Sequence, residues 1–196
     1  AAGRLSYVLG LHGPSISYDT ACSAALVACH AGQRALQLGE CPMGAAAGVM
    51  LMLLPATSTA FAIAGMTSLR GRSHTFDARA DGYARSEACC AVVLSGTDGY
   101  AAARSTRFSG SAVRQDGRSA SLTAPNGQAQ QALLTAALAD GTVLAKSVAL
   151  IEAHGTGTEL GDPIEGSSLA AAVLVLLAPA GKAPLALGSG KASIGH

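Results

Sequence analysis

The 196-residue chain has no tryptophan, and only four tyrosines and three phenylalanines. It therefore lacks the aromatic platforms on which unpaired bases stack. Charge is scarce as well: 13% of residues are charged, against about 25% in an ordinary soluble domain. The formal net charge is +1 with no basic cluster, so nothing points to nucleic acid. No apolar run reaches the roughly 18 residues that a membrane-spanning helix requires. The nearest runs, 43–54 and 169–178, are short and rich in small residues, and read as a buried strand and a buried helix. What is abundant is small and apolar: 49% hydrophobic residues and 24 glycines. That supply is ample for one domain with a real core.

The five cysteines, Cys22, Cys29, Cys41, Cys89 and Cys90, show neither zinc-ligand spacing nor a paired framework. A reducing, cytoplasmic compartment is the simplest expectation. The chain opens on Ala-Ala-Gly-Arg and stops directly after Ile194-Gly195-His196. Both ends look cut, so the expectation is a fragment whose excess apolar surface is covered by other parts of the polypeptide or by a partner protein.

Punctuation by glycine and proline divides the chain. Residues 14–18 read as a short strand, leading into an alanine-rich helix that stops at Gly39, with Asp19 or Thr20 near its N-cap. Residues 44–54 form a continuous apolar run, as a strand in a parallel sheet covered on both faces requires. A short helix is predicted over 57–66, a polar surface loop over 68–85, and strands over 88–95 and 107–113. A helix follows over 128–139, a strand over 147–153, a helix from Asp162 to about 178 and a last strand over 185–188. Asp162, Pro163 and Glu165 have the spacing of a helix N-cap, first position and capping box. Alternating strands and helices make the class α/β.

Cysteine in an apolar setting is ordinarily a small core residue. Cys22, however, sits at a predicted strand-to-helix turn, at the positive end of a helix dipole, which favours the nucleophilic thiolate. His12, His30 and His74 have ordinary structural explanations. His154 ends a predicted strand and precedes Gly155-Thr156-Gly157-Thr158. The glycines allow close backbone approach to a ligand, and the hydroxyls are suited to bonding a polar chain. His196 closes a second signature in which Lys191 and His196 follow an apolar strand.

Three stretches in this order, Asp19-Thr20-Ala21-Cys22-Ser23-Ala24, His154-Gly155-Thr156-Gly157-Thr158 with Gly161-Asp162-Pro163-Ile164-Glu165, and Lys191-Ala192-Ser193-Ile194-Gly195-His196, resemble the β-ketoacyl synthase family. Gly3-Arg4-Leu5-Ser6-Tyr7, Phe76-Asp77-Ala78-Arg79-Ala80-Asp81-Gly82-Tyr83 and Leu122-Thr123-Ala124-Pro125-Asn126-Gly127 extend the similarity to ketosynthase domains of type I polyketide synthases. The resemblance covers the chain from end to end, although the family domain is much longer. It implies a thiolase-like layered α-β-α-β-α fold, incomplete at both ends. Residues 1–196 would then be a partial ketosynthase domain, running from the end of the N-terminal half through most of the C-terminal half.

The resemblance also implies an enzyme of the 3-oxoacyl-[acyl-carrier-protein] synthase type, an acyltransferase working in polyketide biosynthesis as a homodimer beside neighbouring synthase domains. Cys22 matches the acyl-accepting nucleophile. His154 and His196 match the pair that promotes decarboxylation of a malonyl-type extender. Lys191 matches the family lysine, Glu165 its carboxylate partner, and Thr156 and Thr158 the hydroxyls that hold phosphopantetheine. Substrates would arrive on the phosphopantetheine of acyl carrier protein. No bound cofactor, no metal, no nucleic acid and no membrane span are expected, and the isolated fragment is expected to be inactive.

The chain departs from the family pattern at Arg114, in the run Ser86-Glu87-Ala88-Cys89-Cys90, and at Ala192, Ser193 and Tyr18. Side chains where glycines are usual add strain of about 1 kcal/mol each if those positions have positive φ. Two other readings stand beside the first: the same condensation in fatty acid synthesis, and a non-elongating ketosynthase that only binds acyl carrier protein. Presence of Cys22 and both histidines weighs against the latter.

Overall fold

A computed structural model describes residues 2–96, 106–174 and 185–196. The chain divides into two compact units, one formed by residues 1–50 and 88–108, the other by 51–87 and 109–196.

In the first unit, helix α1 (Ala2–Leu9) precedes an irregular segment, a 3-10 turn (Ala21–Ser23) and helix α2 (Ala24–Gln37). Strands β1 (Met43–Met50) and β2 (Ala88–Ser95) pair antiparallel over their whole length, from Met43 opposite Ser95 to Met50 opposite Ala88. The Gly-Ala-Ala-Ala-Gly composition of β1 sets how closely α2 approaches. A Cβ added at Gly48 would lie 2.8 Å from the Cβ of Ala25, and one at Gly32 of α2 would lie 3.0 Å from Leu94 Cδ1. Helix and sheet thus meet through hydrogens, where a larger residue would overpack the seam.

Two expectations for this unit are corrected. The apolar run at 44–54 is an antiparallel strand that ends at Met50, and Leu51 to Leu54 are exposed coil. An unbroken apolar run reports that both faces seek cover, but not which way the neighbouring strand runs. Residues 14–18 are irregular: Pro14 has no N–H to give a ladder, and no pairing is formed there.

In the second unit, helix α3 (Pro55–Ile63) starts with proline in its first turn, where the absent N–H costs nothing. Helix α4 (Gly127–Asp140) is capped by Asn126, whose side-chain oxygen accepts the N–H groups of Gln128 and Ala129. Strands β3 (Leu150–Glu152) and β4 (Ala186–Gly188) are parallel, with Leu150 opposite Ala186 and Glu152 opposite Gly188. Helix α5 (Gly161–Leu169) continues into a π turn (Ala170–Leu174), and helix α6 (Lys191–Ile194) is a single turn. Ala145, Ala172 and Val173 form a core cluster, flanked by Leu134, Leu138, Val148, Ile151 and Leu185. Burying a valine such as Val173 contributes about 2 kcal/mol.

Three expectations for this unit change as well. No strand forms over 107–113 within the described residues; instead Ser111 N–H donates to Asp140 Oδ2 at 2.9 Å. The helix beginning near Asp162 starts one residue earlier, at Gly161, and its predicted end near 178 lies outside the described residues. Asp162 is not the N-cap: Leu160 occupies that position without a side-chain cap, and Pro163 is the third helical residue. Among the described residues no helix is long and apolar enough to cross a membrane.

Candidate active site

Two adjacent parallel strands end side by side; His154 lies just beyond the end of β3, and His196 follows β4 after the turn of α6. In open α/β sheets the carboxyl ends of strands are where ligands bind, because the chain must leave the sheet there and its loops can diverge. Pairing of β3 with β4 continues one step past the strand as Ala153 N–H donates to Gly188 O at 2.8 Å. His154 is the next residue. After β4, Ser189 and Gly190 lead into α6, and the chain returns through Gly195 to His196.

The main chain at His154 is gripped from α5. Glu165 accepts the N–H of His154 at 2.6 Å through Oε1 and that of Gly155 at 2.8 Å through Oε2. Hydrogen bonds to a charged acceptor are worth about 1.5–3 kcal/mol each. Glu165 therefore holds backbone rather than the lysine. Among the described residues no ion pair joins Glu165 to Lys191, which corrects the expected pairing of that lysine with this carboxylate. Both oxygens of the carboxylate are committed to two successive N–H groups, and α5 carries it to the start of the turn.

The turn that follows is fastened on both sides. Thr75 Oγ1 donates to Gly155 O, and Gly82 N–H donates to Gly157 O at 2.9 Å. Gly155 and Gly157 have φ of +46° and +80°. A Cβ at Gly157 would come within 2.6 Å of His74 N, and one at Gly155 within 2.6 Å of Thr75 Cγ2. Glycine is required here both for conformation and for space. Gly157→Ala is expected to cost roughly 2–4 kcal/mol, combining a left-handed penalty with a backbone collision. A urea titration of the full-length protein reads that loss as a lowered midpoint at unchanged slope.

His196 is fixed by its own main chain. Its N–H donates to Ala84 O at 2.7 Å, and its O accepts Ser86 N–H at 2.9 Å. Gly195, at φ +80°, leaves no room for a side chain: a Cβ would sit 2.9 Å from Ala84 O. These bonds bring the His196 ring edge-to-face with Tyr83 at 5.0 Å and with His154 at 5.1 Å, the two imidazoles standing at 88°. The two histidines predicted from distant motifs are therefore neighbours.

Electrostatics favour the neutral form of both rings. Burial, then the His154 ring and the Lys191 charge, push His196 from its usual 6.5 down to about 4. His154 is also lowered, first by burial and then by Lys191, while Glu165 and Asp162 pull it the other way. Lys191 thus acts on both imidazoles through its charge. At neutral pH each ring has one N–H to give and one nitrogen to accept with.

Thr156 is buried at 7% exposure, and Thr158 is partly buried. Thr158 Oγ1 accepts the Gly161 N–H at 3.2 Å, so that hydroxyl starts α5 and keeps its hydrogen free to donate. The two threonines flank Gly157, whose φ is +80°.

Cys22 belongs to the first unit. It lies in the 3-10 turn that opens α2, with an exposed free thiol. Ala21 before it has φ +52°, a left-handed conformation costing a non-glycine residue about 1 kcal/mol or more. The turn is tied by Ser23, whose N–H and Oγ both donate to Thr20 O at 3.3 and 3.0 Å. A strained residue on a tight turn ahead of a helix is a compact way to present one side chain outward.

Residues 1–98 match the model of the β-ketoacyl synthase N-terminal domain, and residues 106–196 that of its C-terminal domain. The chain belongs to the β-ketoacyl synthase family. Its relatives include a component polypeptide of the phenolphthiocerol/phthiocerol polyketide synthase of Mycobacterium tuberculosis, 47% identical over 199 residues, which cover 100% of this chain and 9% of the relative. Another component of that synthase, from the same organism, is 46% identical, over 99% of this chain and 12% of its own length. Among solved structures, the ketosynthase from module 6 of the bacillaene synthase of Bacillus subtilis 168 superposes with a TM-score of 0.91 at 35% identity, covering 100% of this chain and 35% of that one. An oxazolomycin ketosynthase domain of Streptomyces albus gives the same TM-score and identity. The fold is that of polyketide synthase ketosynthase domains, which are thiolase-like, and the chain spans about a third of the solved ones.

Sequence reasoning about this ketosynthase chain missed three contributors. Thr75 and Gly82 fasten the turn after His154, and Tyr83 packs on His196. They lie in the stretch read as a polar surface loop, whose Ser73 is only 1% exposed and accepts Ala84 N–H through Oγ at 3.0 Å. A polar run with several glycines gives the same signal whether its hydroxyls face water or backbone. A cavity of about 710 Å³ is lined by residues 114–119 and 121–125, the segment that carries the unusual Arg114. None of the predicted site residues lines it.

Proposed function

We propose that this chain carries the catalytic groups of a β-ketoacyl synthase, joining an acyl group on Cys22 to a malonyl-type thioester in polyketide assembly. The observation that carries the reading is the pair of imidazoles with centroids 5.1 Å apart, in surroundings that lower the proton affinity of both. In the first half-reaction the Cys22 thiolate attacks an acyl thioester, and the carrier thiol leaves. In the second, a malonyl thioester loses carbon dioxide. The electron pair of the broken C–C bond becomes an enolate, with negative charge on the thioester oxygen. His154 and His196 donate N–H bonds to that oxygen. The enolate carbon then attacks the acyl carbonyl, and the Cys22 thiolate is released. Atoms and electrons balance without a metal or a redox cofactor.

Neutral donors suit this step. An imidazolium would surrender its proton to the enolate and end it before carbon–carbon bond formation, whereas a neutral N–H is too weak an acid to do so. Burial is the main reason the rings favour the neutral form, and the positive charge of Lys191 adds to it at both. Thr156 and Thr158, on the turn after His154, are assigned to the pantetheine arm. Acyl carrier protein, a second copy of the domain and adjoining synthase domains complete the proposed setting. The polyketide branch is preferred to fatty acid synthesis because the matched relatives belong to a polyketide synthase.

The pH profile tests this. Release of carbon dioxide from malonyl-carrier protein by the full-length protein should be flat from pH 8 to 6.5. It should fall as acid protonates His154, and be lost as pH passes through about 4, where His196 titrates. Stability follows the same sign. Both groups have folded values below the unfolded 6.5, so the unfolded chain binds more protons, and Tm drops as pH falls from 6.5 towards 4. A rate that instead rises with acid between pH 7 and 6 would mean imidazolium catalysis, and this reading would fall.

A further inference from the structure

Asp162 is only 4% exposed, yet its carboxylate takes part in no ion pair among the described residues. It serves backbone from two separate segments. Oδ2 accepts the Phe76 N–H at 2.7 Å, while Oδ1 accepts the N–H groups of Gly157 and Thr158 at 3.1 and 3.3 Å. Phe76 has φ +52°, a conformation a phenylalanine holds only when its surroundings insist on it. Gly157 and Thr158 form the far half of the turn that begins at His154. One buried carboxylate thereby ties the turn to the 74–76 segment, whose Thr75 and His74 already touch that turn.

We propose that Asp162 is a positioning residue for the carrier-arm site. It sets the Thr156–Gly157–Thr158 turn, and through it how strongly the enzyme prefers thioesters bearing a pantetheine arm. This rests on the assignment of the two threonines to that arm. It predicts something the assignment alone does not: that the arm's binding energy depends on a charge which never touches substrate.

Asparagine in place of Asp162 keeps the shape but cannot accept on both sides. If its oxygen faces Gly157 and Thr158, its NH2 faces the Phe76 N–H, donor against donor, and the reverse orientation has the mirrored fault. Asp162→Asn should therefore lower kcat/KM for pantetheine-linked thioesters about tenfold more than for truncated thioesters ending in N-acetylcysteamine, one charge-assisted bond's worth of discrimination. The test is run on the full-length protein with both substrates, alongside a melting curve. Equal losses on the two substrates, or no loss on either, would overturn the proposal, since a merely structural role moves both together. A wild-type protein that turns over neither thioester would instead refute the enzyme reading beneath it. Amide hydrogen exchange on the wild type gives a second readout that holds even if the variant does not fold. The N–H groups of Phe76, Gly157 and Thr158 should be protected, and rapid exchange at all three also overturns the proposal.

Discussion

Cys22→Ala is expected to abolish the acyl-enzyme adduct while sparing the release of carbon dioxide from malonyl thioester. On the proposed roles, the two half-reactions draw on different parts of the chain. The thiol stands on the strained turn at Ala21–Ser23 in the first unit, whereas the two imidazoles proposed to stabilise the enolate belong to the second. Alanine has no nucleophile, so intact-protein mass spectrometry after incubation with an acyl thioester should show no added mass. Condensation should fall by on the order of 10³-fold or more, as removal of a covalent nucleophile does elsewhere. Carbon dioxide release should persist, because nothing in that step needs the sulfur. An acyl adduct of undiminished stoichiometry on the alanine variant would place the nucleophile at another residue.

The complementary result is expected from the histidines. His154→Ala and His196→Ala should each form the acyl adduct normally and lose decarboxylation by about 10²–10³-fold. That is the usual cost of deleting one preorganised donor to a developing oxyanion. The adjacency of the rings, at 5.1 Å and nearly perpendicular, makes the losses non-additive, since each ring helps to orient the other. Because burial and Lys191 keep both rings neutral, a neutral amide can partly replace them. His154→Gln should retain more activity than His154→Ala. Single-turnover measurement of carbon dioxide release separates the cases, and equal, undiminished rates in both alanine variants would remove the histidines from this step.

The site was legible in the sequence wherever a residue's own chemistry announced it. His154 and His196 were singled out as imidazoles in recognisable motifs after apolar strands, and their rings do meet at 5.1 Å; the roles proposed for them and for Cys22 await the experiments above. Lys191 was singled out the same way, and its charge does reach both rings. What could not be read was who holds whom. Glu165 was expected to balance a lysine, yet its two oxygens close on consecutive N–H groups. Asp162 was expected to cap a helix, yet it reaches back across the turn to Phe76. A carboxylate beside a helix start has several donors within reach, and the approach of α5 to the turn decides among them. The direction of β1 was illegible for a related reason: pairing depends on a partner strand far away in sequence, and of the run expected to be a buried strand only Ala46 is buried.

The shortness of β3 and β4 has a consequence of its own. His154 follows the three-residue ladder almost directly, whereas His196 is held by the main chain of Ala84 and Ser86, so the spacing of the rings depends on both anchorages at once. Sliding β3 by a single residue would displace His154 by about 3.3 Å, while His196 stayed with its own anchors. Damage far from the chemistry that loosens this ladder would then mimic loss of a catalytic group, in a protein that still melts as a folded one.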